Sequence, residues 1–329
     1  MQAVVLVGGF GTRLRPLTNT VPKSMLPVAH VPLIVRLIRR LEAGGVDAVT
    51  LALGFLPDPF VEAFPDGRCG GVEFRYAIEP EPLDTAGAIR FAARHSGVDD
   101  TFVVANGDVL TDLDVAALVA HHEAMEAEAT IHLIAVDDPS AFGVVARDGA
   151  GRVLRFVEKP PPGTEPSNLI NAGTYVFEPS VLDRIPPGRV SIERDIFPTV
   201  AAAGRFHSVA TDDYWVDAGR PELYLRANLD LISGARSEVV EGVSPGALVD
   251  AGARVIDSVV GAGVRVGGGA SVERSVLLPG ASVGVDATLL DSVVAGTVGR
   301  GANVVRAVVG ADAKIADREH VHDARVPAE

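Results

Sequence analysis

The segments IDSVVGAGVRVGGGASV (256–272), ERSVLLPGASVGVDATL (273–289), LDSVVAGTVGRGANV (290–304) and VRAVVGADAKIA (305–316) are one pattern written four times. Ser258, Ser275, Ser292 and Ala307 hold equivalent places, roughly one coil apart. Within each coil an aliphatic residue recurs about every six residues and is followed by a small one, the hexapeptide pattern of a β-helix. Aliphatic side chains stack inward while glycine and other small residues turn the corners. About four such coils predict a short solenoid in which each rung touches only its neighbours. Alternation in an ordinary Val/Gly-rich sandwich would not produce this coil-length repeat.

Upstream of about residue 235 the texture is different. The apolar runs AVVLV (3–7), AVTLAL (48–53), VEFRYAI (72–78), TFVVAN (101–106) and TIHLIAV (130–136) read as strands. PLIVRLIRRLEAGG (32–45), TAGAIRFAARH (85–95) and DVAALVAHHEAMEAEA (114–129) read as helices between them. Gly44 and Gly45 end the first helix. This alternation predicts a Rossmann-like, mixed but mostly parallel sheet covered by helices, class α/β. The domain expectation is therefore 1–235 for the α/β part and 236–329 for a short left-handed β-helix of hexapeptide repeats. In such sheets ligands sit beyond the carboxyl ends of the strands, which points to the loop after the first strand.

The composition narrows the function. The formal charge of −14 argues against a nucleic-acid binder, which would carry a basic footprint. Cys69 is the only cysteine, so an internal disulfide and a cysteine metal site are both excluded. The N-terminal MQAVVLVGGFGTR reads as a buried strand and not as a signal peptide, and no apolar run is long enough to span a membrane. A cytoplasmic protein is expected. Only three of the 29 basic residues are lysines, Lys23, Lys159 and Lys314. A chain so biased toward arginine keeps lysine where a compact ammonium on a flexible stem has a task.

The first strand runs into Gly8-Gly9-Phe10-Gly11-Thr12-Arg13-Leu14-Arg15-Pro16, and Pro22-Lys23 follow. Glycines allow backbone N–H groups to approach a polyphosphate closely. Arg13 and Arg15 add charge-assisted hydrogen bonds, and Lys23 adds a movable charge. The loop is not a dinucleotide fingerprint, because Leu14 stands where the third glycine belongs. Nor is it a Walker loop, because Thr-Arg follows Gly11.

The whole string GGFGTRLRPLTNTVPKSMLPV resembles the signature of the sugar-1-phosphate nucleotidyltransferases, or nucleotide-sugar pyrophosphorylases. That resemblance implies direct in-line displacement. A sugar-phosphate oxygen attacks the α-phosphorus of a nucleoside triphosphate, and pyrophosphate leaves with no covalent enzyme intermediate. It implies Val7, Gly8, Gly9, Gly11, Thr12 and Arg13 around the nucleotide, with Arg13 on the departing pyrophosphate and Lys23 near the exchanging phosphates. Asn106, Gly107 and Asp108 end the fourth of these strands. Asp217 lies in Trp215-Val216-Asp217-Ala218-Gly219, and the resemblance makes Asp108 and Asp217 a Mg²⁺ pair. Such an ion takes one or two carboxylates plus substrate oxygens. Gly143 lies in FGVV and Glu158-Lys159 in FVEKP; these resemble the sugar side, with Glu158 on hydroxyls and Lys159 on the phosphate. Asn171 and Gly173, in NAGTY, would also face the sugar.

Leu83-Asp84-Thr85-Ala86-Gly87 resembles the segment that approaches the base, which gives Thr85, Ala86 and Gly87 to the nucleotide. Relatives often carry glycine at the position of Asp84. Here the aspartate is read as the cap of the helix near Thr85, with a hydrogen bond to a guanine edge as the alternative. Asp112 and Asp114 are read as caps of the next helix. His121 and His122 are read as surface residues, and no histidine spacing suggests a metal.

RLRPLTNTVPKSMLPV, SIERDIFP (191–198) and the β-helix tail look most like the mannose-1-phosphate guanylyltransferases, so GTP and mannose 1-phosphate are the favoured substrates. Another nucleotide with a different sugar or cyclitol phosphate, and a non-catalytic nucleotide-sugar-binding paralogue, stay open. A hexapeptide acyltransferase would need a histidine in or near the coils; residues 238–316 have none, and His320 and His322 are read as lying after the repeats. The open ends of the solenoid imply a homo-oligomer, dimer or tetramer.

Overall fold

The computed structural model describes residues 1–54, 57–236 and 238–327. They form two compact units. The first comprises Met1–Gly9 with Ile34–Trp215, and the second Phe10–Leu33 with Val216–Glu329.

The first unit is built on a ten-stranded sheet. Its principal elements are β1 (Gln2–Leu6), α1 (Leu33–Ala43), β2 (Ala48–Leu53), β3 (Val72–Ile78), α2 (Asp84–Ser96), β4 (Phe102–Asn106), α3 (Val115–Ala124), β5 (Ala129–Ala135), β6 (Gly143–Arg147), β7 (Val153–Glu158), β8 (Leu169–Phe177) and β9 (Phe206–Thr211). The order β7-β6-β8-β4-β1-β2-β3 ends on the short strand Arg68–Cys69, and β5 joins β8 to β9. The β4-β1-β2-β3 core is parallel. β8 runs antiparallel to β4, β5 and β6, which makes the sheet mixed as expected. All six residues of β2 are buried, which is why AVTLAL shows no polar alternation. β8 carries an irregularity: Asn171 pairs with Leu133 but Tyr175 with Ile131, so extra residues bulge out around Gly173 (φ +80°). A bulge re-aims the side chains beside it.

Three local readings need correction. The helix expected over 114–129 ends at Ala124, because Glu126 adopts φ +46° and the chain turns into β5 at Ala129. Asp114 caps that helix, accepting from Ala117 N at 2.9 Å, whereas Asp112 pairs with Arg40 at 3.0 Å. His122 is not a surface residue. It shares the buried face of α3 with Val115 and Leu118, and its ring bonds Thr130 and Glu178 at 2.9 and 3.1 Å. The spacing i, i+3, i+7 that hides it was present in the sequence.

His132, in β5, is fully buried, with Nε2 bonded to Thr211 at 2.8 Å. Burial lowers its pKa from 6.5 to about 4. The unfolded chain therefore takes up the proton first. Stability from the neutral ring is complete above about pH 6.5 and declines as pH falls toward 4, by up to about 3 kcal/mol. Burial shifts His122 and His207 the same way. Urea unfolding at pH 7 and pH 5 is expected to show this loss, and His132→Gln to flatten it; an unchanged slope in the variant would assign the acid sensitivity elsewhere.

In the second unit the repeats form three parallel sheets of five strands each, a β-helix of five coils. The four repeats legible in the sequence span 256–316; the first coil opens earlier, at Leu248–Val249, and the fifth closes later, at Arg325–Val326, so that it takes in His320–His322, which the sequence alone places after the repeats. The equivalence of the small polar positions has a direct cause. Ser258 Oγ accepts from Ser275 N at 3.0 Å, Ser275 Oγ from Ser292 N at 3.1 Å, and Ser292 Oγ from Ala307 N at 3.1 Å. Each hydroxyl also donates to the carbonyl two residues back. A buried ladder of this kind fixes coil register, since every slipped rung leaves an unpaired N–H.

Corners use glycine where coils touch. A Cβ on Gly267, Gly284 or Gly299 would lie within 2.7 Å of backbone in the next coil. The Ser292-to-Ala307 step is two residues shorter than the others because the corner at Ala295-Gly296 is shorter. A Cβ on Gly296 would sit 2.4 Å from both Gly310 O and Ala313 O. The segment 10–33 also belongs to this unit. Ala29 N donates to Asn228 Oδ1 at 2.8 Å, and Tyr224 Oη donates to Pro27 O, which ties the segment to α4 (Pro221–Ser233).

Candidate active site

The glycine loop is divided between the two units. Val7, Gly8 and Gly9 continue β1 in the first, and Gly11, Thr12, Arg13 and Lys23 lie in the second.

In the second unit Gly11 takes φ +60°, and its carbonyl accepts the Thr18 hydroxyl at 2.7 Å. That turn starts the short 3₁₀ segment Thr12–Leu14 carrying Arg13. Lys23 opens a second 3₁₀ turn, Lys23–Met25. Both cations reach the WVDAG segment. A Cβ on Gly219 would lie 2.7 Å from Asp217 Oδ1, 2.9 Å from Arg13 Nη2 and 3.4 Å from Lys23 Nζ. Only a residue without a side chain lets these three charged groups meet. Asp217 Oδ1 accepts from Gly219 N at 2.9 Å, and its Oδ2 stands 4.0 Å from Arg13 Nη2.

In the first unit Gly8 packs against Gly54, with the position of a Cβ 3.1 Å from Gly54 N and 3.2 Å from Glu79 Oε1. Gly9 faces open space. Glu79, which the sequence reading passed over, follows β3 at the carboxyl edge of the sheet. Its Oε2 accepts from Leu83 N at 3.0 Å, and burial raises its pKa. Its place one residue beyond a parallel strand was the available signal.

Asn106, Gly107 and Asp108 end β4. Gly107 N donates to Leu6 O at 2.9 Å, and a Cβ on Gly107 would strike Val7 Cγ1 at 2.4 Å. On the neighbouring strand, a Cβ on Gly173 would lie 2.6 Å from Asn106 Nδ2. Asn171 Oδ1 accepts from Gly173 N at 2.9 Å, and its Nδ2 donates to Tyr175 Oη at 2.8 Å. The β6–β7 hairpin pairs Gly143 with Glu158, and a Cβ on Gly143 would meet Phe156 Cζ at 2.3 Å and Glu158 Oε2 at 2.9 Å. Glu158 is half-buried, and its pKa is raised by burial and then by the nearby Glu193 carboxylate. Lys159 Nζ stands 3.6 Å from Glu158, on a backbone with φ +46°. Trp215 Nε1 donates to Ala172 O at 2.9 Å, and its ring meets Phe142 edge-on.

The structure revises the reading of Asp84. The helix cap is Leu83, with no side-chain capping bond. Asp84 itself has φ +59°, the left-handed region in which glycine is strain-free. Its carboxylate accepts from Thr85 N at 2.9 Å and lies 3.4 Å from Arg194 and 3.9 Å from Arg189. Thr85, Ala86 and Gly87 hold the 188–193 segment. Ala86 N and Gly87 N donate to Val190 O at 2.9 and 3.2 Å, and Thr85 Oγ1 donates to Glu193 and accepts from Ile192 N, each at 2.8 Å. A Cβ on Gly87 would lie 2.4 Å from Gly188 O.

Among the described residues no cluster of three or more His, Cys, Asp or Glu side chains could hold a metal. Asp108 lies in the first unit and Asp217 in the second, and each is a hard oxygen donor of the kind Mg²⁺ takes beside substrate oxygens and water. No helix among the described residues is long and apolar enough to cross a membrane.

Comparison with known proteins supplies the frame. Residues 2–234 match the family described as nucleotidyl transferase, and residues 233–326 match a GlmU-like C-terminal hexapeptide. The chain is 42% identical over 290 residues to a mannose-1-phosphate guanylyltransferase of Mycobacterium tuberculosis, covering 84% of this chain and 79% of that one. It is 39% identical over 249 residues to a mannose-1-phosphate guanyltransferase of Schizosaccharomyces pombe, covering 74% and 68%. Among solved structures, a putative glucose-1-phosphate thymidylyltransferase of Bacillus anthracis aligns with TM-score 0.64 at 26% identity, covering 69% of this chain and 94% of that one. HddC of Yersinia pseudotuberculosis complexed with GMP-PN aligns with TM-score 0.59 at 30% identity, covering 69% and 97%. The chain belongs to the nucleotidyl transferase family.

Proposed function

We propose that the protein transfers GMP from GTP to mannose 1-phosphate, giving GDP-mannose and pyrophosphate. The observation that carries this reading is the meeting of Arg13, Lys23 and Asp217 over Gly219. A site that joins two anions must align them and neutralise charge growing on the leaving group. Arg13 takes the departing pyrophosphate, and Lys23 the phosphates under exchange. Lys159 holds the sugar phosphate, while Glu158, Asn171 and the backbone at Gly143 and Gly173 face the sugar hydroxyls. Gly8, Gly9, Gly11 and Thr12 bring their N–H groups to the triphosphate. Asp108 and Asp217 are the proposed Mg²⁺ ligands, and the ion when bound supplies charge neutralisation at the phosphates. No general base is required, because a sugar phosphate is already ionised at neutral pH.

The two relatives named above support GTP and mannose 1-phosphate. Glu79 adds a chemical reason. A carboxylate beside Gly8 is complementary to the two adjacent N–H donors on the guanine edge, and adenine lacks that pair. Glu79→Gln is expected to lower kcat/KM for GTP roughly 10- to 100-fold, the scale of a lost charged hydrogen bond, and to narrow the preference over ATP. Unchanged discrimination would remove Glu79 from base reading. The reading as a whole is tested by pyrophosphate release from purified protein with Mg²⁺, five nucleoside triphosphates, and mannose or glucose 1-phosphate. GTP with mannose 1-phosphate is expected to be fastest; a different best pair would move the specificity, and no release with any pair would refute it.

The division of labour proposed is catalysis in 1–235 and assembly through 236–329, in the cytoplasm where nucleotide substrates are held. Leu248 and Val249 are exposed on the unpaired edge of the opening coil, with Val239 exposed upstream in the same unit. A second copy covers this face in the proposed homo-oligomer. Light scattering is expected to give a dimer or larger species, and Leu248→Glu to reduce it to monomer; a monomeric parent protein would contradict the assignment.

A further inference from the structure

The second unit holds a cleft of about 460 Å³ lined by Thr12, Arg13, Arg220, Pro221, Glu222 and Arg325. Three guanidiniums face one carboxylate there, in a chain of net charge −14. Among the described residues neither Arg220 nor Arg325 is paired with a carboxylate, although most of the arginine pairs elsewhere in the chain are short and several are bidentate. Unpaired cations gathered against the field of the whole protein mark an anion site. Pro221 is the only apolar residue in the lining, so the cleft suits a small, multiply charged anion and not a base or a sugar ring.

Arg325 comes from the last strand of the fifth coil. Its Nη1 donates to Arg15 O at 3.2 Å. Arg15 N in turn donates to Thr12 O at 3.2 Å, closing the turn that carries Arg13. Pro16 packs on the preceding coil, where a Cβ on Gly310 would lie 2.9 Å from Pro16 Cβ. A guanidinium has five N–H donors, and the Arg15 carbonyl uses one. The end of the β-helix thus both braces the loop that carries Arg13 and brings a cation to it.

We propose that Arg220 and Arg325 join Arg13 in binding pyrophosphate, so that the terminal coil contributes to the leaving-group site. This rests on the nucleotidyl-transfer reading and adds to it a residue from outside the catalytic domain. The test uses the full chain and inorganic pyrophosphate. Calorimetry is expected to show pyrophosphate binding that weakens about tenfold or more in Arg325→Ala and in Arg220→Ala, with Arg325→Lys recovering most of it. In the reverse reaction, KM for pyrophosphate is expected to rise by the same factor in the alanine variants while KM for the nucleotide-sugar stays within about twofold. A purely structural role would move both KM values and the melting temperature together, and lysine would not rescue it. Pyrophosphate binding in the alanine variants equal to that of the parent protein would overturn the proposal. Binding without turnover in the parent protein would refute the functional reading and leave the anion site standing.

Discussion

Asp217→Ala is expected to lower turnover at least about 100-fold, the usual scale for losing a preorganised electrostatic contact. Asp217 is fixed by the Gly219 N–H at 2.9 Å and stands 4.0 Å from Arg13. Its removal leaves Arg13 and Lys23 facing each other without the intervening carboxylate and removes a proposed metal ligand. Asp217→Asn keeps an oxygen for the Gly219 N–H and loses only the charge. A comparable loss in both variants would assign the effect to charge, whereas a mild effect in the asparagine variant would assign it to the turn. Lys23→Ala is expected to fall by a similar factor. The melting temperature is expected to change little, because partly exposed ion pairs contribute about 1 kcal/mol or less. Near-normal turnover in Asp217→Ala or in Lys23→Ala would remove that residue from the catalytic set.

Gly173→Ala is expected to lower kcat about 100-fold with only a moderate loss of stability. Two separate observations combine here. Gly173 has φ +80°, a conformation that strains a side-chain-bearing residue by roughly 1–3 kcal/mol. The new methyl would also lie 2.6 Å from Asn106 Nδ2 and 3.1 Å from its Cγ. Asn106 directly precedes Gly107-Asp108, so the strain is transmitted to the tip of β4. A displacement of about 1 Å at reacting groups costs on the order of 100-fold in rate. Steady-state kinetics with a thermal melt checks this. Full activity would mean that the β8 bulge does not set the position of Asn106.

These positions show how unevenly a sequence carries a structure. The β-helix was legible because every coil repeats the same packing problem, so Ser258, Ser275 and Ser292 recur where one hydroxyl must satisfy the next N–H. The parallel strands β1, β2 and β4 were legible because their hydrophobic runs are buried almost throughout. Glycines such as Gly8, Gly107 and Gly219 were legible as a motif, but not in their reason, which is the backbone or charged group lying where a Cβ would be. Asp84 was misread because its backbone conformation is imposed by the loop before α2, and propensity alone suggests a cap. His122 was misread because a histidine on a helix looks polar until its partners Thr130 and Glu178 arrive from two other elements. Arg325 could not be connected with Arg15, since 310 residues separate them and only the closed solenoid brings them together.

The central claim is a single in-line transfer without a covalent nucleotidyl-enzyme. It is tested most directly with GTP labelled on the α-phosphate, purified protein and Mg²⁺, with and without mannose 1-phosphate. The account predicts that label moves into GDP-mannose in step with pyrophosphate, one for one, and that omitting mannose 1-phosphate abolishes both pyrophosphate release and exchange of added pyrophosphate into GTP. Exchange in the absence of the sugar phosphate, or label retained on the protein, would contradict it.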